Sequence, residues 1–159
     1  MTFTDTHCHL ADPKLASTLP AVLAEAQAAG VARFIVPATS PNDWHSVAQL
    51  ERPSENIHIA LGIHPWFSDG LNEAAFQELE KELIRHPQAW VGEIGLDFYG
   101  KEQTQAQRDT QTDVFIRQLI LAQHLNRRVI IHNLKATATI AAAVKTAGFT
   151  QGGIVHAFS

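Results

Sequence analysis

Two histidines one residue apart, His7 and His9, follow the short run Phe3-Thr4-Asp5 near the start of the chain. Read as a first β-strand over Phe3 to His9, this stretch sends His7 and His9 to one face and Cys8 to the other. Two imidazoles side by side can hold one divalent ion, because neutral imidazole nitrogen suits zinc, iron and nickel. With nine histidines in 159 residues, one such pair also arises by chance, so its weight depends on where the others fall. His64 follows a third predicted strand, His132 ends a fifth and His156 ends a sixth. Glu93 sits in the fourth, between Gly92 and Gly95 in an otherwise apolar run. A buried carboxylate is costly unless paired or metal-bound, and the predicted strands offer no obvious Lys or Arg partner. The flanking glycines are expected to leave space for a cofactor or substrate. A carboxylate can also bridge two ions about 3.5–4 Å apart, as two-metal hydrolysis requires.

Strands and helices must alternate to bring such distant residues together, and the sequence reads that way. Strands are expected at Phe3–His9, Val31–Val36, Ile57–Ile63, Trp90–Leu96, Arg128–His132 and Gly153–His156. Helices are expected at Ser17–Ala29, Ser40–Leu50, Asn72–His86, Thr104–Leu125 and Asn133–Ala147. Capping residues, early prolines and the terminal glycines Gly30 and Gly148 mark their ends. On the longest helix, Phe115, Leu119, Ala122, Ile116 and Ile120 are expected to form the buried stripe. Alternation implies parallel βαβ units, either an open doubly wound sheet or a (β/α) barrel. Neither a Gly-x-Gly-x-x-Gly turn nor a Walker loop is present, which weighs against nucleotide-binding open sheets. In barrels the active site lies at the C-terminal ends of the strands, where these histidines fall.

Other polar residues have open readings. His64 either lines the pocket or simply ends its strand, and pocket-lining is the favoured reading. Asp97 and Tyr99, just past strand four, either contact substrate or cap the loop. His45, His58, His86 and His124 read as structural or surface residues, Cys8 as a small core residue, and the three tryptophans as packing, with Trp66 at the mouth.

The formal net charge of −4 gives no bulk attraction to nucleic acid, so such a substrate would be held by local cations or metal. Cys8 is the only cysteine, which excludes an internal disulfide and suits a reducing compartment. No signal-peptide pattern opens the chain, and no stretch approaches the ~20 apolar residues of a membrane helix. The expected location is cytoplasmic.

The chain resembles the TatD family of metal-dependent deoxyribonucleases, within the amidohydrolase-like metal hydrolases. The matching pieces are Asp5-Thr6-His7-Cys8-His9-Leu10, Gly62-Ile63-His64-Pro65, Gly92-Glu93-Ile94-Gly95-Leu96-Asp97-Phe98-Tyr99, Gln118-Leu119 with Ala122, Val129-Ile130-Ile131-His132, and His156-Ala157-Phe158-Ser159. The resemblance implies a TIM-like (β/α) barrel, about six of whose eight βα units are present, as a single domain over residues 1–159. It implies His7, His9 and Glu93 at one ion and Glu93, His132 and His156 at a second. The ions would be one or two divalent metals, with zinc, magnesium, manganese, nickel and iron not distinguished. The implied reaction is water attack on a DNA phosphodiester, with Glu93 as the candidate catalytic residue and His64, Asp97, Tyr99 and Lys135 on the substrate side. Two alternatives stand beside it: an amidohydrolase acting on C–N or ester bonds, and a metal-binding product with little activity.

Two features depart from the family pattern. Ser-Arg-Asp commonly follows the fifth-strand histidine, whereas Asn133-Leu134-Lys135 stands here, leaving Lys135 as a point charge in place of an arginine. The family also continues for roughly another hundred residues on the ~250-residue size of such barrels. That part carries strands seven and eight and an aspartate of the metal site. The chain is therefore expected to be C-terminally incomplete, with strands one and six as open edges that favour oligomers or poor solubility.

Overall fold

The computed structural model describes residues 1–52, 56–100 and 102–159. Among the described residues, six strands, β1 (Phe3–Asp5), β2 (Val31–Pro37), β3 (Ile57–Leu61), β4 (Trp90–Asp97), β5 (Val129–Leu134) and β6 (Gly153–His156), alternate with five α-helices. These are α1 (Leu19–Ala28), α2 (Trp44–Ala48), α3 (Glu73–Arg85), α4 (Gln105–His124) and α5 (Thr137–Thr146). All neighbouring strands pair in parallel, in the sheet order β1-β2-β3-β4-β5-β6. This is the barrel-type order. The sheet is a curled TIM-like half-barrel of six βα units.

The outer sheet face packs on the helices. Phe34 and Val36 of β2, Ile57, Ile59 and Leu61 of β3, and Ile94 and Leu96 of β4 join Phe76, Leu79 and Leu83 of α3 and Val114, Phe115, Leu119 and Ala122 of α4 in one core. Thr104 opens α4 with a capping box, its hydroxyl accepting from Gln107 N while Gln107 answers to Thr104 N. Asn72 caps α3 by accepting from Ala75 N.

The inner face carries the alternate residues. At the N-terminal ends of the strands, Thr4, Arg33, His58, Trp90 and Arg128 line a recess of about 470 Å³. Ile35, Ala60 and Ile130 form a small apolar layer above it.

The structure corrects several expected boundaries. β1 stops at Asp5, so His7 and His9 lie in the loop beyond it. The helix expected over 40–50 is only Trp44–Ala48. The Asp43 carboxylate accepts from Thr39 N, Ser40 N and Thr39 Oγ1, which holds residues 39–43 as a loop. Asn133, expected to cap a helix, lies inside β5, because pairing with β4 continues through Leu96↔Asn133 and Asp97↔Leu134. Lys135 then turns the chain with φ at 55°. On α4, Ile120 is 51% exposed and leaves the expected stripe. Its place is taken by Gln111 and Gln118, both buried at helical spacing with Val114, Phe115 and Ala122. Among the described residues, no helix is long and apolar enough to cross a membrane.

Candidate metal centre

β4 positions the central group. Val91 pairs with Val129 and Ile94 with Ile131, so β4 spends three residues where β5 spends two. The extra residue is a bulge, the device that re-aims a side chain next to a site. With Val91 and Ile94 both in the outer core, the bulge brings Glu93 to the inner face that strict alternation from Trp90 would deny it. A cis peptide bond joins Gly92 to Glu93 within it. The glycines here make room for β5 and not for a ligand. A Cβ on Gly92 would lie 2.9 Å from Ile130 Cβ, and one on Gly95 would lie 2.1 Å from the His132 carbonyl oxygen.

Glu93 is 3% exposed, and five imidazoles surround its carboxylate. Oε2 faces His7 Nε2 at 3.2 Å and His9 Nε2 at 4.0 Å. Oε1 faces His64 Nε2 at 3.4 Å, His132 Nδ1 at 2.9 Å and His156 Nε2 at 2.5 Å. The carboxylate is thus divided, one oxygen to each group of imidazoles. His7 and His9 reach it from the loop, with Nε2 atoms 3.1 Å apart, while Cys8 turns away to donate through Sγ to Ile35 O at 3.5 Å.

Burial acts to raise the Glu93 carboxyl, but hydrogen bonds from His132, His156, His64 and His7 outweigh it and hold the group well below the usual carboxylate range. For His132 burial works downward, and the contacts with Glu93 and Asp97 reverse it, so the ring is raised. His9 is lowered, by burial first and then by His7. Burial pushes the Cys8 thiol up to about 12, making it a poor nucleophile at neutral pH.

The expected site residues take distinct places. His7, His9, Glu93, His132 and His156 converge. His64 joins them, because its ring sits on the Glu93 carboxylate as well as lining the pocket. His7, His9 and Glu93 make one set whose ligand atoms lie within 4.8 Å of one another, and His64, Glu93 and His132 make another. Asp97 is 3% exposed. Its Oδ2 accepts from Trp66 Nε1 at 2.7 Å and its Oδ1 accepts from Tyr99 N at 3.0 Å. Oδ2 also lies 3.4 Å from His132 Nε2, without a hydrogen bond. The Tyr99 ring is 71% exposed, and Lys135 is exposed on the turn after β5. The histidines and Glu93, with Thr39, Trp66 and Phe67, line a cavity of about 320 Å³.

The sequence shows Gln118 only as part of the family motif and Trp44 only as packing, and assigns neither them nor Gln111 a part in holding this arrangement. Gln118, fully buried, accepts from Ile63 N at 2.8 Å and donates to Ile63 O at 3.1 Å, clamping the backbone before His64. Gln111 accepts from Asp97 N at 3.0 Å. Trp44 donates to Gly62 O at 2.8 Å. A polar residue on an otherwise apolar helical stripe was the available signal.

The donor set fits divalent metal. A carboxylate oxygen has about two lone-pair sites, yet three ring nitrogens point at Oε1. The Nε2 atoms of His7 and His9, 3.1 Å apart, share either one ring's N–H or a cation between them. His7 Nδ1 and His132 Nε2 are buried without hydrogen-bond partners. A shared cation relieves this crowding, and imidazole with carboxylate is a ligand set for zinc, iron, nickel or manganese.

A curled parallel α/β sheet gathers imidazoles and a carboxylate at the C-terminal ends of its strands, the end at which TIM-like barrels place their active sites. The chain belongs to the TatD related DNase family, which matches residues 4–159. It is 33% identical over 159 residues to the uncharacterized metal-dependent hydrolase YjjV of Escherichia coli, covering 99% of this chain and 60% of that protein. The crystal structure of that TatD homolog superposes with a TM-score of 0.89. Human deoxyribonuclease TATDN3 is 30% identical over 166 residues, covering 97% of this chain and 60% of that one. The chain thus spans about three-fifths of the length of these relatives.

Proposed function

We propose that this chain forms the histidine-rich part of a TatD-type metal-dependent hydrolase that cleaves DNA phosphodiester bonds. The observation that carries the reading is the divided carboxylate of Glu93, with His7 and His9 on one oxygen and His64, His132 and His156 on the other. One or two divalent ions held there would supply water of lowered pKa and charge neutralisation at the phosphoryl oxygens. Glu93 is the catalytic candidate because its charge holds the two halves of the donor set together. His156 and His132 keep Oε1 turned inward, and His7 and His9 do the same for Oε2. Lys135 and Tyr99, exposed past the ends of β5 and β4, are the candidates to meet substrate on that side. The deoxyribonuclease name carried by the human relative supports DNA as the substrate.

The test is cleavage of a labelled single-stranded oligonucleotide by protein stripped with chelator and reloaded with manganese, magnesium or zinc. The chain and the reading frame extended past Ser159 are assayed side by side. Metal-dependent cleavage that fails in Glu93→Gln is the expected result. Turnover of amide or ester substrates with DNA left intact would make the protein an amidohydrolase. Full metal occupancy in a variant lacking His7, His9, Glu93, His132 and His156 would remove the site altogether.

A further inference from the structure

Trp66 combines two properties that seldom occur together. Its side chain is 70% exposed, yet it is fixed in place. Nε1 donates to Asp97 Oδ2 at 2.7 Å. The ring packs edge-on against His64, with centroids 4.8 Å apart at 75°, and the Trp66 backbone N–H donates to His64 Nδ1 at 3.2 Å. The acceptor is itself anchored, since Asp97 is 3% exposed and its N–H is held by Gln111. A tryptophan serving only as filler would be covered, and one lying loose on the surface would not occupy a buried carboxylate.

We propose that Trp66 is a stacking platform for a planar heteroaromatic ring of the substrate, a nucleobase beside the scissile phosphodiester, and that Asp97 is the positioning residue that fixes it. This rests on the phosphodiester reading above. Three features select the occupant. The only polar atom of the indole is already used on Asp97, so recognition is through a ring face, which every base can meet. Among the described residues lining the pocket there is no Lys or Arg, so stacking supplies grip that backbone charge does not. The platform also adjoins the Glu93 cluster. His64 touches the indole on one side, and its Nε2 lies 3.4 Å from Glu93 Oε1 on the other.

Fixing the ring in advance removes ordering cost from binding, so the platform contributes affinity that a mobile side chain would lose.

The experiment is equilibrium binding to chelator-treated protein, with deoxyadenosine 5′-monophosphate and base-free 2-deoxyribose 5-phosphate as probes. Chemistry is absent, so the readout is independent of turnover. The nucleotide should bind about five- to a hundredfold tighter than the base-free phosphate, the range of one base–aromatic stack, and should quench tryptophan emission. Trp66→Leu should bring the two probes to within about twofold, and Trp66→Tyr should restore most of the preference by returning a ring face. Asp97→Ala should lower nucleotide affinity several-fold and weaken the near-ultraviolet dichroism of the indole, and Asp97→Asn, which keeps an oxygen acceptor for the indole N–H, should restore most of both. Equal affinity for the two probes in the unmodified chain, or an undiminished preference in Trp66→Leu, overturns the proposal. Retained base preference without DNA cleavage would strike at the phosphodiester reading alone. DNA cleavage without base preference would strike at the platform alone.

Discussion

At the N-terminal ends of the strands, Arg128 lays its guanidinium 5.5 Å from the Trp90 ring centroid, and both Arg33 and Arg128 remain exposed. At the C-terminal ends of the same strands, Glu93 and His132 are buried at 3% and 7% exposure, with three imidazoles on a single oxygen. The same curled sheet therefore treats polar groups in two ways. The arginines at the lower end stay exposed, and Arg128 lays its charged head over an aromatic face. Short side chains at the upper end cannot snorkel, and they face each other in an arrangement that a bound cation would satisfy. The lower end leaves its charges to solvent, while the upper end gathers its polar groups into two candidate metal-ligand sets.

The largest effect is expected from Glu93→Gln. The change keeps the shape but removes the charge that both imidazole groups face. We expect divalent metal content to fall to that of chelated protein, and DNA hydrolysis in the extended protein to fall at least about a hundredfold, equivalent to ~2.7 kcal/mol of transition-state stabilisation. Metal analysis and initial rates check it. Unchanged hydrolysis would return Glu93 to a purely structural role and leave the upper end no different from the lower.

Next in size is Gly95→Ala, which tests whether the upper end depends on the close approach of β4 and β5. Gly95 has φ at 134°, and its added Cβ would meet the His132 carbonyl oxygen at 2.1 Å. Strain of this kind and overpacking each cost ~1–3 kcal/mol, so a loss of about 4 kcal/mol in a urea melt is expected. His132 would shift with its carbonyl, and metal affinity should fall as well. A variant as stable as the parent would mean that the two strands can part without cost.

Much of this was legible in the sequence, for identifiable reasons. The alternation of strands and helices and the placement of His132 and His156 in β5 and β6 follow from apolar periodicity and turn residues, which act locally. The inward aim of Glu93 depends on a bulge, and a bulge is fixed by the register of the neighbouring strand, which the sequence does not display. Strand alternation alone would put His7 and His9 on one face. In the structure β1 ends at Asp5, and the two rings meet through a loop. Gln118 was invisible to a pattern that counts apolar residues, because its amide lies across the chain from Ile63, 55 residues away in sequence. Gln118→Leu therefore gives the third prediction. It leaves the Ile63 N–H and C=O buried without partners and should cost about 2 kcal/mol. Thermal unfolding, with metal affinity as a measure of His64 placement, decides whether the clamp matters.

The smallest effect is expected at the lower end, and there the size of the effect is the test. Arg128→Ala removes an exposed guanidinium and its contact with Trp90. A cation–π contact at an exposed site is worth ~0.5–1 kcal/mol, so denaturant unfolding should show a loss within that range. Metal content, and the affinity of the chelated protein for added metal, should be unchanged, because the apolar layer of Ile35, Ala60 and Ile130 stands between the two ends. If Arg128→Ala releases metal, charge at the lower end is coupled to the histidines through that layer. The two ends would then be one electrostatic unit, and the separation drawn between them would fail at the point where it predicts the least.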